Sequence, residues 1–144
     1  MSLQTDPPPA DVAARQAVER LYAADVAAQQ LGMQIVDAGV GRAVVTMRVL
    51  PTMTNGHGIC HGGLIFALAD TAFAYACNAA GGSHVAAAAS IDFLLAARAG
   101  DLLRAEAVEV WQRGRNGLTD VRVLDASGQL LALYHGRSRR IDRN

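Results

Sequence analysis

The sequence predicts an α+β fold in which an antiparallel sheet wraps around one long central helix. Residues 61–79 are almost wholly apolar, and a helix that is hydrophobic on every side must be buried on every side. A hairpin precedes this helix, and the segments after it alternate apolar and polar residues between turn signals, which predicts a meander of strands. We expect an N-terminal leader and helix over 1–32 and a single domain over 33–144.

The first segment predicts a loose leader followed by a helix. Pro7 to Pro9 are typical of an irregular leader. Asp11 is the expected N-cap of a helix over 11–30, which ends at Gly32. The N-terminus lacks the basic and apolar regions of a signal peptide.

Residues 33–50 predict a hairpin. Met33 to Val36 form its first strand, and the glycines of AGVG form its turn. In Arg42 to Leu50 every second residue is apolar and points the same way, namely Ala43, Val45, Met47 and Val49. Pro51 to Cys60 then form the loop that leads to the central helix.

The segment after the central helix contains four consecutive alanines, which favour a helix by propensity. We nevertheless expect a strand over His84 to Leu95. Val85, Ile91 and Phe93 share one face of such a strand, and the next elements are strands too.

Three further strands complete the predicted sheet. Leu102 to Trp111 form a strand whose apolar parity changes near Ala107 and Val108, which predicts a β-bulge there. The inward face of the next strand consists of Thr119, Val121 and Val123. The residues expected along the last strand are Leu131, Leu133 and His135.

Composition excludes several classes of function. The formal net charge is +0, so the chain lacks the long-range attraction that nucleic acid or an anionic membrane requires. All 13 basic residues are arginine, which excludes Schiff-base chemistry on lysine. No apolar run reaches the roughly 20 residues of a membrane span. Cys60 and Cys77 show no metal-binding spacing and indicate reduced thiols, so we expect a cytoplasmic protein without a metal.

Asp70 is the only acidic residue between Asn55 and Gly81. A buried carboxylate without a partner is costly, so one interpretation pairs Asp70 with an arginine or with backbone N–H groups. Another makes it a general base or nucleophile beside a cleft. Gly62 and Gly63 favour the second interpretation, because they expose N–H groups at the positive end of the helix, where a carbonyl can be polarised.

The spacing of these residues predicts a site between two subunits. Asp70 follows Gly62 by eight residues, which corresponds to about 12 Å along a helix and is far for one substrate atom. Asp70 of one subunit can face Gly62 of another if their helices run antiparallel. The apolar helix also needs a partner to cover it, so we expect a homo-oligomer with two-fold symmetry.

Several motifs resemble those of the hotdog-fold acyl-CoA thioesterases, specifically the phenylacetic acid degradation type called PaaI. They are NGH at 55–57, HGG at 61–63, ADTAFAYACN at 69–78, IDFL at 91–94 and GD at 100–101. The resemblance extends from about Leu31 to Arg140, and the spacing from HGG to the aspartate is its most specific part. It implies a sheet wrapped around a central helix and hydrolysis of acyl-CoA, with phenylacetyl-CoA or its ring-hydroxylated forms as substrate.

The resemblance also implies roles for individual residues. The Gly62 N–H and the Asn55 side chain would hold and polarise the thioester carbonyl. Asp70 of the facing subunit would act as general base on water or attack as the nucleophile. His61 would orient the thioester or assist the departing thiolate, and Thr71 or Ser90 would steady the water. The family requires no cofactor or metal, and PaaI proteins favour a tetramer made of two dimers over a single dimer.

Two other functions stay open at this point. A hotdog hydratase or dehydratase acting on acyl thioesters pairs a loop histidine with a helix carboxylate, and His57 and Asp70 have a similar spacing. Against it, the proline-rich loop of such dehydratases is missing. A non-catalytic acyl-CoA sensor would need an output module, and residues 1–32 offer a single near-neutral helix without features of a DNA-reading domain.

Overall fold

A computed structural model describes residues 5–142 and confirms the α+β fold. The helices are α1 (Pro9–Ala24), α2 (Val26–Gln30) and α3 (Gly62–Asn78), and the strands are β1 (Gln34–Gly39), β2 (Arg42–Arg48), β3 (His84–Phe93), β4 (Leu102–Arg113), β5 (Asn116–Leu124) and β6 (Leu130–Arg140). The strands form one antiparallel sheet in the order β1-β2-β4-β5-β6-β3. The first four residues of the expected leader and the last two of the expected domain lie outside the described residues.

The core lies between α3 and one face of the sheet. Its central row crosses four neighbouring strands in register, through Val45, Ala105, Val123 and Ala132. All four side chains are fully buried. Phe73 of α3 belongs to the same buried cluster as this row. Alternation along the strands therefore produces the inward face that the sequence predicts.

The predicted helix over 11–30 is interrupted. Asp25 leaves the helical conformation after α1, and its side chain accepts a hydrogen bond from the Ala28 N–H at 3.1 Å to begin α2. Asp11 is not an N-cap, because α1 already begins at Pro9, in the first-turn position that proline favours. The Asp11 carboxylate instead accepts the Val40 N–H at 2.9 Å and ties α1 to the first hairpin.

The position of the bulge in β4 differs from the sequence prediction. The bulge in β4 lies between Glu109 and Trp111, beyond the predicted Ala107 and Val108, where β4 still pairs regularly with β5. Leu131, Leu133 and His135 lie along β6 as predicted, and the buried residues of this strand include Ala132 and Tyr134. Both parities of β6 contain hydrophobic residues, so the sequence alone does not decide which of them faces α3.

The sheet has β1 and β3 at its two edges. The side chains of β3 are exposed from Ala86 to Ser90, and the strand is ten residues long. A long exposed edge presents unpaired backbone groups and is normally covered in solution. In the described part of the chain, no helix is long and apolar enough to cross a membrane.

Candidate active site

The start of α3 presents a free backbone donor. His61 is the N-cap, and its Nδ1 accepts the Gly63 N–H at 3.1 Å while its carbonyl oxygen accepts the Leu64 N–H at 2.9 Å. Among the hydrogen bonds of residues 5–142, none satisfies the Gly62 N–H. This donor therefore projects from the positive end of a 17-residue helix.

The loop before α3 is closed by the side chain of Asn55. Its Oδ1 accepts the His57 N–H at 3.0 Å and the Ile59 N–H at 3.4 Å. The loop is thereby held in an Asx-type turn. The Nδ2 amide group of Asn55 donates to no acceptor in the described residues, so it remains available to a ligand.

Asn55 and Gly62 line the same cavity, which has a volume of about 240 Å³. The rest of its lining is mostly apolar and comes from the loop, from α3 and from the end of β3 with the following residues: Ile59, Cys60, Ile65, Phe93, Leu94, Leu95, Ala96 and Ala97. Two polar donors at the edge of an apolar cavity are the usual arrangement for binding a small group with a carbonyl.

The ring of Phe93 lies over Gly62. A Cβ atom at position 62 would come within 3.1 Å of the Phe93 Cζ atom. Glycine at this position therefore lets the aromatic ring approach the backbone donor closely. Phe93 is 53% exposed in this subunit, and its ring forms one wall of the cavity.

Cys60 also lines the cavity but is not arranged as a nucleophile. Its Sγ lies 3.7 Å from the carbonyl oxygen of His61, and the His61 ring instead bonds to Gly63. Burial, with a smaller contribution from the charge of Asp101, raises the pKa of the Cys60 thiol. The thiol therefore stays protonated near neutral pH, and a Cys–His hydrolase is not supported.

Asp70 lies two turns further along α3 and does not line this cavity. It is half-buried, and its Oδ1 accepts the Tyr134 O–H at 2.6 Å. The ion pairs of the described residues do not include Asp70, so the arginine partner of the structural interpretation is absent from this part of the chain. The structure brings Asn55 and Gly62 together and leaves Asp70 apart from both within one subunit.

The other predicted site residues, His61, Thr71 and Ser90, have different surroundings. His61 is exposed at the helix start, and Thr71 is half-buried beside Asp70, with its Oγ1 donating to the Ala67 carbonyl at 2.8 Å. Ser90 pairs with His135 across β3 and β6. Ser90 and His135 therefore lie on the outer face of the sheet, opposite the face that carries Tyr134. Thr71 is therefore near Asp70 in the subunit, and Ser90 is not.

Tyr134 is the polar neighbour of Asp70 that the sequence does not reveal. The residue lies within a hydrophobic strand, and its ring makes it a normal core residue. Its position facing α3 follows from the pairing of β6 with β5, and this pairing cannot be read from the sequence. Among residues 5–142, no group of three or more His, Cys, Asp or Glu side chains could hold a metal ion.

Comparison with known proteins agrees with the fold and the motifs. The family model described as the thioesterase superfamily matches residues 57–132. The chain is 46% identical over 121 residues to the acyl-coenzyme A thioesterase PaaI of Escherichia coli K12, a match that covers 84% of this chain and 86% of that protein.

Solved structures agree as well. The PaaI protein from the phenylacetic acid degradation operon of E. coli superposes with a TM-score of 0.91 at 44% identity, covering 92% of this chain and 96% of that one. A variant of the phenylacetic acid degradation protein PaaI from Thermus thermophilus gives 0.78 at 36% identity, covering 81% and 100%. The chain therefore belongs to the thioesterase superfamily, as a hotdog-fold enzyme of the PaaI type.

Proposed function

We propose that this protein hydrolyses phenylacetyl-CoA, or a ring-hydroxylated phenylacetyl-CoA, to the free acid and CoA. The observation that carries this proposal is the unpaired Gly62 N–H beside the free amide of Asn55, at the edge of an apolar cavity. The name of the E. coli relative supports an acyl-CoA substrate. The E. coli PaaI protein of similar structure comes from a phenylacetic acid degradation operon, which supports an aromatic acyl group.

In the proposed mechanism the two donors bind the thioester carbonyl oxygen. As water attacks the carbonyl carbon, negative charge develops on that oxygen, and donors fixed at a helix N-terminus stabilise it without reorganising. Because the Asn55 Oδ1 is occupied by the loop, the side chain presents its Nδ2 to the ligand. The donors are thus in position before the substrate binds.

Asp70 of the opposite subunit is the proposed general base. It removes a proton from water as the new C–O bond forms, and the C–S bond then breaks to release the CoA thiolate, which is reprotonated. Thr71, beside Asp70, is proposed to steady the water. Since the Nδ1 of His61 accepts a hydrogen bond, neutral His61 has its proton on Nε2, which suits a donor to the departing sulfur.

This mechanism requires a homodimer, and two features support one. The edge strand β3 is long and exposed. The stripe of α3 that includes Ala67, Asp70, Thr71 and Ala74 is only half-buried in a single subunit, although the helix is strongly apolar. A two-fold partner that adds its own β3 and α3 would cover both. By resemblance to PaaI we propose a tetramer of two such dimers, located in the cytoplasm, where the free Cys60 and Cys77 remain reduced.

A panel of acyl-CoA substrates tests the proposed function. Thiol release should be faster with phenylacetyl-CoA or its ring-hydroxylated forms than with benzoyl-CoA or straight-chain acyl-CoA, because the cavity is apolar and has an aromatic wall at Phe93. The measurement is kcat/KM for each substrate, with heat-denatured protein as the blank. If palmitoyl-CoA has a higher kcat/KM than every aromatic substrate, the proposed acyl group is wrong.

Mixed oligomers test whether the site is shared between subunits. Asp70→Asn removes the base and Gly62→Pro removes the N–H donor, so each variant alone should have little activity. In a dimer with one subunit of each kind, one of the two sites regains an intact Asp70 and an intact Gly62. Random mixing at equal amounts should therefore restore about a quarter of the parent activity.

The mixture is made by co-expression, and light scattering confirms a dimer or larger species. The two variants purified separately and combined without exchange of subunits are the control and should stay inactive. If the co-expressed mixture is as inactive as either variant expressed alone, the site lies within one subunit and the shared-site mechanism fails.

A further inference from the structure

The contact between Tyr134 and Asp70 has the geometry of a strong hydrogen bond. The Tyr134 O–H lies 2.6 Å from the Asp70 Oδ1, which is within the short range typical of a hydroxyl donating to a carboxylate. The Asp70 Oδ2 has no hydrogen-bond partner among the described residues. One oxygen of the carboxylate is therefore held, and the other remains available to a ligand.

The phenol that makes this contact is itself immobilised. Tyr134 is fully buried, and its ring packs against Phe66 with centroids 5.3 Å apart and against Phe73 with centroids 5.7 Å apart. Gly136 makes room for this cluster, since a Cβ atom there would come within 2.5 Å of Phe73 and 2.9 Å of Tyr134. A donor that is packed on both sides can fix the orientation of its acceptor.

The phenol also keeps its proton. Burial, followed by the hydrogen bond and charge of Asp70, raises the pKa of Tyr134 well above its usual range. Tyr134 therefore donates to Asp70 at every pH at which the enzyme is expected to work. Its role can be to hold the carboxylate, since it does not give up its proton during turnover.

We infer that Tyr134 is a positioning residue for Asp70. The Tyr134 hydroxyl fixes the Asp70 carboxylate so that its Oδ2 faces the water and the thioester. This inference rests on the proposed function, in which Asp70 is the general base. Position matters because a displacement of about 1 Å in a catalytic group can cost about 10²-fold in rate. Without the Tyr134 hydroxyl, the carboxylate can rotate about its side-chain bonds and lose the productive orientation.

The chain contains a matched control for this contact. Tyr75 is also buried, and its O–H donates to the Asp25 Oδ2 at 2.8 Å. Asp25 begins α2 by accepting the Ala28 N–H, so this second tyrosine–aspartate pair is structural. The same change, tyrosine to phenylalanine, removes one hydroxyl from each pair.

Tyr134→Phe should lower kcat about tenfold with KM nearly unchanged, because substrate binding does not use Asp70. Tyr75→Phe should have the parent kcat, whereas the thermal midpoints of both variants should fall by similar amounts. In the Asp70→Asn background, Tyr134→Phe should produce no further loss of kcat, since a residue that acts through Asp70 has nothing left to position. The measurements are steady-state kinetics with phenylacetyl-CoA and thermal unfolding of the four variants.

Two results would overturn the inference alone. One is a Tyr134→Phe kcat within twofold of the parent while Asp70→Asn is inactive. The other is an equal loss of kcat when Tyr134→Phe is made in the parent and in the Asp70→Asn background. This result would mean that Tyr134 does not act through the carboxylate. Full activity of Asp70→Asn itself would overturn the proposed function, and the inference with it.

Discussion

Asp70→Asn is expected to lower kcat by about 10²-fold or more, because a general base typically contributes 10²–10⁴ to the rate. Asparagine keeps the shape of the side chain, and its amide oxygen can still accept the Tyr134 O–H that the carboxylate accepts at 2.6 Å. It cannot remove a proton from water. Since no arginine in the described residues is paired with Asp70, the change strands no buried charge, and the thermal midpoint should stay the same or rise.

The test uses kcat with phenylacetyl-CoA and thermal unfolding on one preparation. Asp25→Asn is the matched control, because Asp25 is also bonded to a buried tyrosine but lies at the start of α2. It should lose stability and keep the parent kcat. Binding of an unreactive acyl-CoA analogue to Asp70→Asn should persist, because the proposed donors to the carbonyl are Gly62 and Asn55. A large fall in the midpoint of Asp70→Asn with kcat intact would show that Asp70 is structural.

The central helix and the first hairpin can be predicted from the sequence because their patterns allow few alternatives. A long apolar run that ends in Asn78 and the following glycines has to be buried, and the alternation of β2 has one apolar parity. The same holds for the free backbone donor at the start of α3. Gly62 follows His61 at the helix start, where geometry alone leaves backbone N–H groups without partners.

Other features depend on contacts that no local pattern contains. The break at Asp25 is supported by a bond to Tyr75, which is 50 residues away in the chain. The inward parity of Tyr134 follows from the register of β5 and β6. Both are choices between two locally acceptable arrangements, and tertiary packing decides them. For this reason the contact of Tyr134 with Asp70 cannot be predicted from the sequence.

Gly62→Pro is expected to lower kcat by about 10²–10³, the cost of removing one donor to a developing oxyanion. Proline has a ring Cδ atom in place of the N–H that the proposed mechanism uses, and its fixed backbone angle suits the first position of a helix. Gly62 occupies that position, and His61 before it already has the extended backbone, with ψ 130°, that proline requires of its neighbour. The helix should therefore form normally, and the thermal midpoint should remain close to that of the parent.

Gly62→Ala separates the loss of the donor from the crowding of Phe93. Alanine places a Cβ atom about where proline does, 3.1 Å from the Phe93 Cζ, but retains the N–H. Because the exposed Phe93 ring can shift, Gly62→Ala should keep most of the parent kcat, and the difference between the two variants reports the loss of the N–H together with the presence of the proline ring in its place. The readouts are kcat, KM and the thermal midpoint of both variants. Equal losses in alanine and proline would mean that space beside Phe93, and not the backbone donor, is what position 62 supplies, and the carbonyl-binding role of Gly62 would be wrong.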